Sequence, residues 1–196
     1  MARTLEFFFD IASPYSYLAS TQVEQICERT GARLEWKPVL LGGIFKATGN
    51  VSPLTNPVKA AYLMKDVLDW CTHYRIPPMV LPEAFPIHSL KADRLLLVAQ
   101  QQGRLPALLR LLYAAAFQHG LDVNEPRVLE DALKAAELDA ATSMAKAETQ
   151  EIKDALRANT DDAIARGAFG LPLFFVGEQM FVGNDRLLFV EAALRA

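Results

Sequence analysis

With 196 residues, 52% of them hydrophobic, and a formal net charge of −3, the chain is long enough for one large domain, or one domain with a sizeable insertion, around a real core. Its 20 basic and 23 acidic residues are interspersed without a Lys/Arg-rich tract, which argues against nucleic acid as a partner. Apolar runs such as Leu95 to Ala99 fall far short of the roughly 20 residues that span a bilayer, so no membrane role is expected.

The opening MARTLEFFFD carries one basic residue and a short apolar run before Asp10. It lacks the h-region and cleavage site of a signal peptide, and a cytoplasmic protein is expected. TLEFFF (4–9) is almost continuously apolar, as a central strand covered on both faces requires. From Pro14, the residues Tyr17, Leu18, Val23, Ile26 and Cys27 recur at helical spacing, and RTG (29–31) supplies a basic last turn and a terminal glycine. RLEWKPV (33–39) reads as a second strand, making the opening a βαβ unit. LLGGIF (40–45) reads as a loop.

From 57 to 167 the pattern is helical. PVKAAYLMKDVLDWCTHYR starts on proline and places Tyr62, Leu63, Val67, Trp70, Cys71 and Tyr74 on one stripe. Further helical segments follow, the last being SMAKAETQEIKDALRANTDDAIARG (143–167), separated by Gly, Pro and Asn signals. After Gly170, LPLFFVG and EQMFVG read as a strand hairpin. NDRLLFVEAALRA reads as a terminal helix started by Asn184 or Asp185. The order β-α-β, helices, β-β-α matches an α/β thioredoxin-like fold with an all-helical insertion. The expected boundaries are 1–56 and 168–196 for the thioredoxin-like part and 57–167 for the helical domain.

Few residues offer chemistry. Cys27 and Cys71 form no C-x-x-C and have no metal-ligand spacing, so both read as buried small hydrophobes and no metal is expected. His73 and His119 sit near helix ends and His88 lies in a loop; none is assigned to catalysis. Trp36, Trp70 and Tyr62 read as core, although helical-domain aromatics and Met64 are open to lining a substrate slot. In ASPYS, Ser13 takes the N-cap and Pro14 the first helical position. Ser13 is a helix cap by position, and the same hydroxyl beside free amides is also a place for an anion such as a thiolate.

FFFDIASPYSYLA resembles the start of kappa-class glutathione transferases and 2-hydroxychromene-2-carboxylate isomerases, members of the DsbA-like thioredoxin superfamily. LLGGIFKATGN (40–50), FPIHSLKADR (85–94), GAFGLPLFFVG (167–177) and MFVGNDRL (180–187) extend the resemblance collinearly along the chain. It implies glutathione as cofactor, with the Ser13 hydroxyl bonded to its sulfur. Lowering a thiol pKa from about 8.5 to about 7 takes roughly 2 kcal/mol. A hydrogen bond to a charged group contributes about 1.5–3 kcal/mol and a helix end about 0.3–1, so Ser13 plus the helix end could suffice.

The resemblance further implies that Leu171, before a cis Pro172, pairs backbone to backbone with the cysteinyl unit. Asn184 and Asp185 would hold the γ-glutamyl end, and Asn50 and Lys59 the remaining contacts, Lys59 suiting the glycyl carboxylate. The implied activity is glutathione-dependent isomerisation of 2-hydroxychromene-2-carboxylate to trans-hydroxybenzylidenepyruvate, or of a related aromatic-degradation intermediate, by a homodimer. A kappa-like glutathione transferase or peroxidase is the alternative. A disulfide oxidoreductase would need two cysteines at the helix start, and a glutathione-binding module without catalysis would leave the thiol pKa unshifted.

Overall fold

The structure is a computed structural model and describes residues 3–196; Met1 and Ala2, on which part of the N-terminal reading rests, lie outside the described residues. Four strands form one sheet in the order β2-β1-β3-β4: β1 Thr4–Phe9, β2 Arg33–Pro38, β3 Leu173–Val176 and β4 Gln179–Val182. β1 and β2 are parallel, while β3 runs antiparallel to both β1 and β4. The parallel pair needs a crossover, and α1, Pro14–Thr30, supplies it. This is the α/β thioredoxin-like architecture that the element order predicts.

The period of two along β1 divides the interior. Leu5, Phe7 and Phe9 join a large cluster with α1, α4 and α5, whereas Phe8 faces the other way onto Val39, Ile44, Ala163, Leu173 and Phe175. Phe7 stacks on Phe174 at 5.1 Å between ring centroids, and the two are register partners across β1 and β3. Such aromatic cross-strand pairs hold register as well as burying area. Glu6, the one acid in this strand, pairs with Arg166 at 2.7 Å, whose guanidinium lies 3.5 Å from the Phe175 ring centroid.

Between β2 and β3 run α2 Leu41–Thr48, α3 Pro57–Tyr74, α4 Leu90–Gln101, α5 Leu105–Phe117, α6 Pro126–Ala135, α7 Ala140–Ala147 and α8 Gln150–Ala165, and α9 Leu187–Arg195 follows β4. α2 replaces the loop expected at LLGGIF. Its two glycines lower helix propensity, and its N-cap, Leu40, makes no side-chain bond. The cap comes instead from Asp10, whose Oδ2 accepts the Leu41 N–H at 2.7 Å. Gly43 has a further reason to be glycine: a Cβ there would lie 3.1 Å from Thr160 Cγ2 on α8.

Three other expectations change. The run 143–167 divides at Glu148 and Thr149, with Thr149 in the N-cap position of α8 and Asp139 capping α7 through the Thr142 N–H at 2.7 Å. The terminal helix starts at Leu187, because Asn184–Arg186 form a 3-10 turn without a side-chain cap. Tyr62 is 65% exposed rather than core, while Trp36 and Trp70 pack against the main cluster. Cys27 and Cys71 are buried and unpaired, and burial pushes the Cys27 thiol up to about 11. No helix of the described chain is long and apolar enough to cross a membrane.

Candidate active site

The handover from β1 to α1 is held by short-range bonds. Ser13 is extended, at φ −98° and ψ 111°, and its Oγ accepts the Ser16 N–H at 3.1 Å. Its own N–H donates to the Asp10 carbonyl at 3.0 Å, and its carbonyl accepts from Tyr17 at 3.1 Å. Pro14 has no N–H, and the Tyr15 backbone N–H has no acceptor among the described residues. A serine oxygen that accepts one bond still has an O–H to donate. The turn therefore offers two free donors, the Ser13 hydroxyl and the Tyr15 amide, at the positive end of a 17-residue helix.

This turn lies on a cavity of about 700 Å³ bounded by α2, the start of α3 and the segments around 50–54, 85–90 and 169–171. Ser13, Asn50, Lys59 and Leu171 all line it. Lys59, in the first turn of α3, forms no ion pair with the described residues. Asn50 is partly committed, its Nδ2 donating to the Phe169 carbonyl at 2.8 Å and its Oδ1 accepting from Val51 at 2.9 Å. The Leu171–Pro172 peptide is cis. Pro172 O accepts the Gly183 N–H at 2.9 Å, while the Leu171 N–H and C=O make no backbone bond within the described chain. An unpaired donor and acceptor on one residue fit the backbone of an added extended peptide.

Pro172, Asn184 and Asp185 are not on the lining. Asn184 is buried, near the Tyr74 hydroxyl at 3.5 Å. Asp185 folds over Gly183 and pairs with Arg186 at 3.1 Å. The structure thus brings four of the seven expected residues together and sets the other three beside them. Tyr15, also on the lining, donates its hydroxyl to Asp66 Oδ2 at 2.8 Å; burial and then that carboxylate raise its pKa, keeping it a neutral donor.

Sequence reasoning missed the apolar wall and the acids beneath the turn. Leu41, Phe45, Leu54, Leu63, Phe85 and Ile87 give the cavity an apolar side, and His88 joins Lys59 as its second basic residue. Of the helical-domain residues left open for such a slot, the aromatic Phe85 lies on that wall and Met64 does not, its neighbour Leu63 on α3 taking that place. Asp10 is 2% exposed and Asp93 fully buried, and burial raises both carboxyl pKa values, Asp93 far more. Asp93 was detectable as an acid on the apolar stripe of LKADRLLLV. Among the described residues no group of three or more His, Cys, Asp or Glu is placed to hold a metal ion.

A model of the DsbA-like thioredoxin domain matches residues 4–195. A 2-hydroxychromene-2-carboxylate isomerase from Sphingobium xenophagum is 30% identical over 196 residues, covering 99% of both chains. Human glutathione S-transferase kappa 1 is 29% identical over 201 residues, covering 95% of this chain and 88% of that protein. A solved 2-hydroxychromene-2-carboxylate isomerase superposes with a TM-score of 0.89 at 25% identity, over 97% of this chain and 94% of that one. The chain belongs to the DsbA-like thioredoxin family, in the group of 2-hydroxychromene-2-carboxylate isomerases and kappa-class glutathione transferases.

Proposed function

We propose that the protein is a glutathione-dependent isomerase of 2-hydroxychromene-2-carboxylate, or of a related aromatic-degradation intermediate. The observation that carries this reading is the pair of free donors, the Ser13 hydroxyl and the Tyr15 amide, at the helix end on a cavity with one apolar wall. Together they would supply the roughly 2 kcal/mol that takes a thiol from about pKa 8.5 to about 7. Leu171 would pair with the cysteinyl backbone and Lys59 with the glycyl carboxylate. Asn50 keeps one amide hydrogen for a third contact. Asn184 and Asp185 would meet the γ-glutamyl end only after Asp185 lets go of Arg186.

Held by Ser13, Tyr15, Leu171 and Lys59, glutathione would supply a nucleophilic thiolate for reversible addition to an unsaturated substrate carbon. Ser13 and Tyr15 hold the sulfur's negative charge before addition and after release. The apolar wall from Leu41 to Ile87 excludes water from the aromatic ring, and His88 is available to the substrate carboxylate. A cytoplasmic location is part of this reading. A homodimer agrees with the exposure of Val51, Val58 and Tyr62, each 65% or more, and light scattering would detect it.

The test is to supply the chromene with sub-stoichiometric glutathione. Many turnovers per glutathione with total thiol unchanged are expected; no acceleration over the uncatalysed rate would overturn the reading. The second reading, a kappa-like transferase or peroxidase, is favoured by kappa relatives that match about as well, such as the rat enzyme at 29% identity over 94% of this chain. Loss of free thiol in proportion to an added electrophile or peroxide would select it.

A further inference from the structure

Two carboxyl groups without a cation lie beneath the Ser13 turn. Asp10 Oδ1 accepts the Ala12 N–H at 2.7 Å and Oδ2 the Leu41 N–H at 2.7 Å, so one carboxylate ties the start of α1 to the start of α2. Its carbonyl takes the Ser13 N–H and, at 3.1 Å, the Tyr113 hydroxyl. Asp93, in the first turn of α4, accepts only the Ile11 N–H, at 3.3 Å, and its Oδ2 is buried without a partner. The Ser89 hydroxyl and neutral Tyr113 face the pair, and the Ser16 hydroxyl lies against Tyr113. Arg94 turns away to Glu148 at 3.2 Å, and His88 lies on the cavity lining.

We propose that Asp10 and Asp93 form a one-proton pair, charged on Asp10 and protonated on Asp93, and that Asp10 is a positioning residue fixing the Ser13 turn against the α2 wall of the cavity. Two buried like charges without a cation do not ionise together. Both acids lie near helix starts, so the charge goes where the bonds to it are shorter and more numerous. Asp10 has two 2.7 Å bonds from N–H groups beside the N-termini of α1 and α2, whereas Asp93 has one long bond. Sharing one proton keeps the pair at one negative charge rather than two beneath the sulfur site, and its fixed bonds hold Ser13 Oγ and the Leu40–Leu41 wall in one arrangement. The catalytic consequence rests on the proposed glutathione chemistry; the proton assignment does not.

The assignment predicts an asymmetry. Asp93→Asn mimics a protonated acid, with an amide N–H to give to Asp10, whereas Asp10→Asn sets its amide hydrogens against a backbone N–H. Asp10→Asn should cut turnover on the order of 10- to 100-fold, the loss from removing one or two bonds to a charged group. Asp93→Ala should also lose activity, and Asp93→Asn should restore it while flattening the alkaline side of the pH profile. Independently of glutathione, infrared spectra of the wild-type protein at neutral pH should contain a protonated-carboxyl C=O band, exchange-shifted in D2O and absent from Asp93→Asn. If the wild type lacks that band, or Asp93→Asn proves as damaging as Asp93→Ala, the proposal is wrong, even should Asp10→Asn fail to fold. With the band present and no thiol-dependent turnover in any form, the pair stands and the proposed function falls.

Discussion

Replacing Ser13 by alanine removes one oxygen with two duties, and the two losses can be separated. As a cap, Ser13 Oγ accepts the Ser16 N–H at 3.1 Å, and its loss should cost about 0.5–2 kcal/mol of stability. As a donor to sulfur, its loss should remove about 1.5–3 kcal/mol, raising the thiol pKa of bound glutathione by about one to two units. A thiol of pKa about 7 is half ionised at neutral pH, and one of about 8.5 is ionised to about 3%, so turnover should fall ~15-fold. Ser13→Gly is the control: glycine caps a helix within a few tenths of a kcal/mol of serine but has no hydroxyl. The assay is thiolate ultraviolet absorbance against pH for bound glutathione, beside denaturant unfolding. Both variants should share the raised thiol pKa, while only Ser13→Ala loses substantial stability. A bound-thiol pKa unchanged in both would refute the thiolate role and leave Ser13 a cap.

Lys59→Met should raise KM for glutathione with little change in kcat, and, because Lys59 is exposed and unpaired among the described residues, leave stability within about 0.5 kcal/mol in urea unfolding. Gly183→Ala puts a side chain at φ +107° and a Cβ 2.5 Å from Asp185 Oδ1. It should cost about 1–3 kcal/mol in the same assay and weaken glutathione binding by displacing Asp185. Glu191 is held down to about 2 by hydrogen bonds from Arg29 and then Arg195. Its contribution to stability is complete above its ordinary pKa and is lost as pH falls towards 2, so Glu191→Gln should flatten that part of an acid titration followed by circular dichroism. Burial instead raises the Asp93 carboxyl, so the folded chain keeps a proton that the unfolded chain gives up near pH 3.8. Stability therefore falls as pH rises above that value, and Asp93→Asn should reduce this slope in thermal melts across pH.

What was legible in the sequence was whatever depends on near neighbours. Ser13 before Pro14, and Gly31 at φ +68° closing α1, are local devices with local signals. The burial of TLEFFF on both faces follows from its own composition, Glu6 excepted, whose partner Arg166 is distant in the chain. α2 was not legible, because two glycines argue against a helix while its cap arrives from Asp10 on another element. The break at Thr149 was hidden in a helical composition without Gly or Pro. Of the candidate site, Ser13, Asn50, Lys59 and Leu171 meet on one cavity. Asn184 and Asp185 carry the local signal of a helix start, but they form a 3-10 turn and are off the lining. Asp10 was visible as an acid ending an apolar run, yet its role depends on Leu41, Asp93 and Tyr113, which only folding brings to it.

The central claim is that glutathione lies in this cavity with its sulfur on the Ser13 turn, and a crystal structure of the complex tests it most directly. The account predicts the sulfur within hydrogen-bonding reach of Ser13 Oγ and the Tyr15 N–H, the cysteinyl backbone paired with Leu171, and the glycyl carboxylate at Lys59. Glutathione bound elsewhere, or bound here with its sulfur turned away from Ser13 towards solvent, would contradict it.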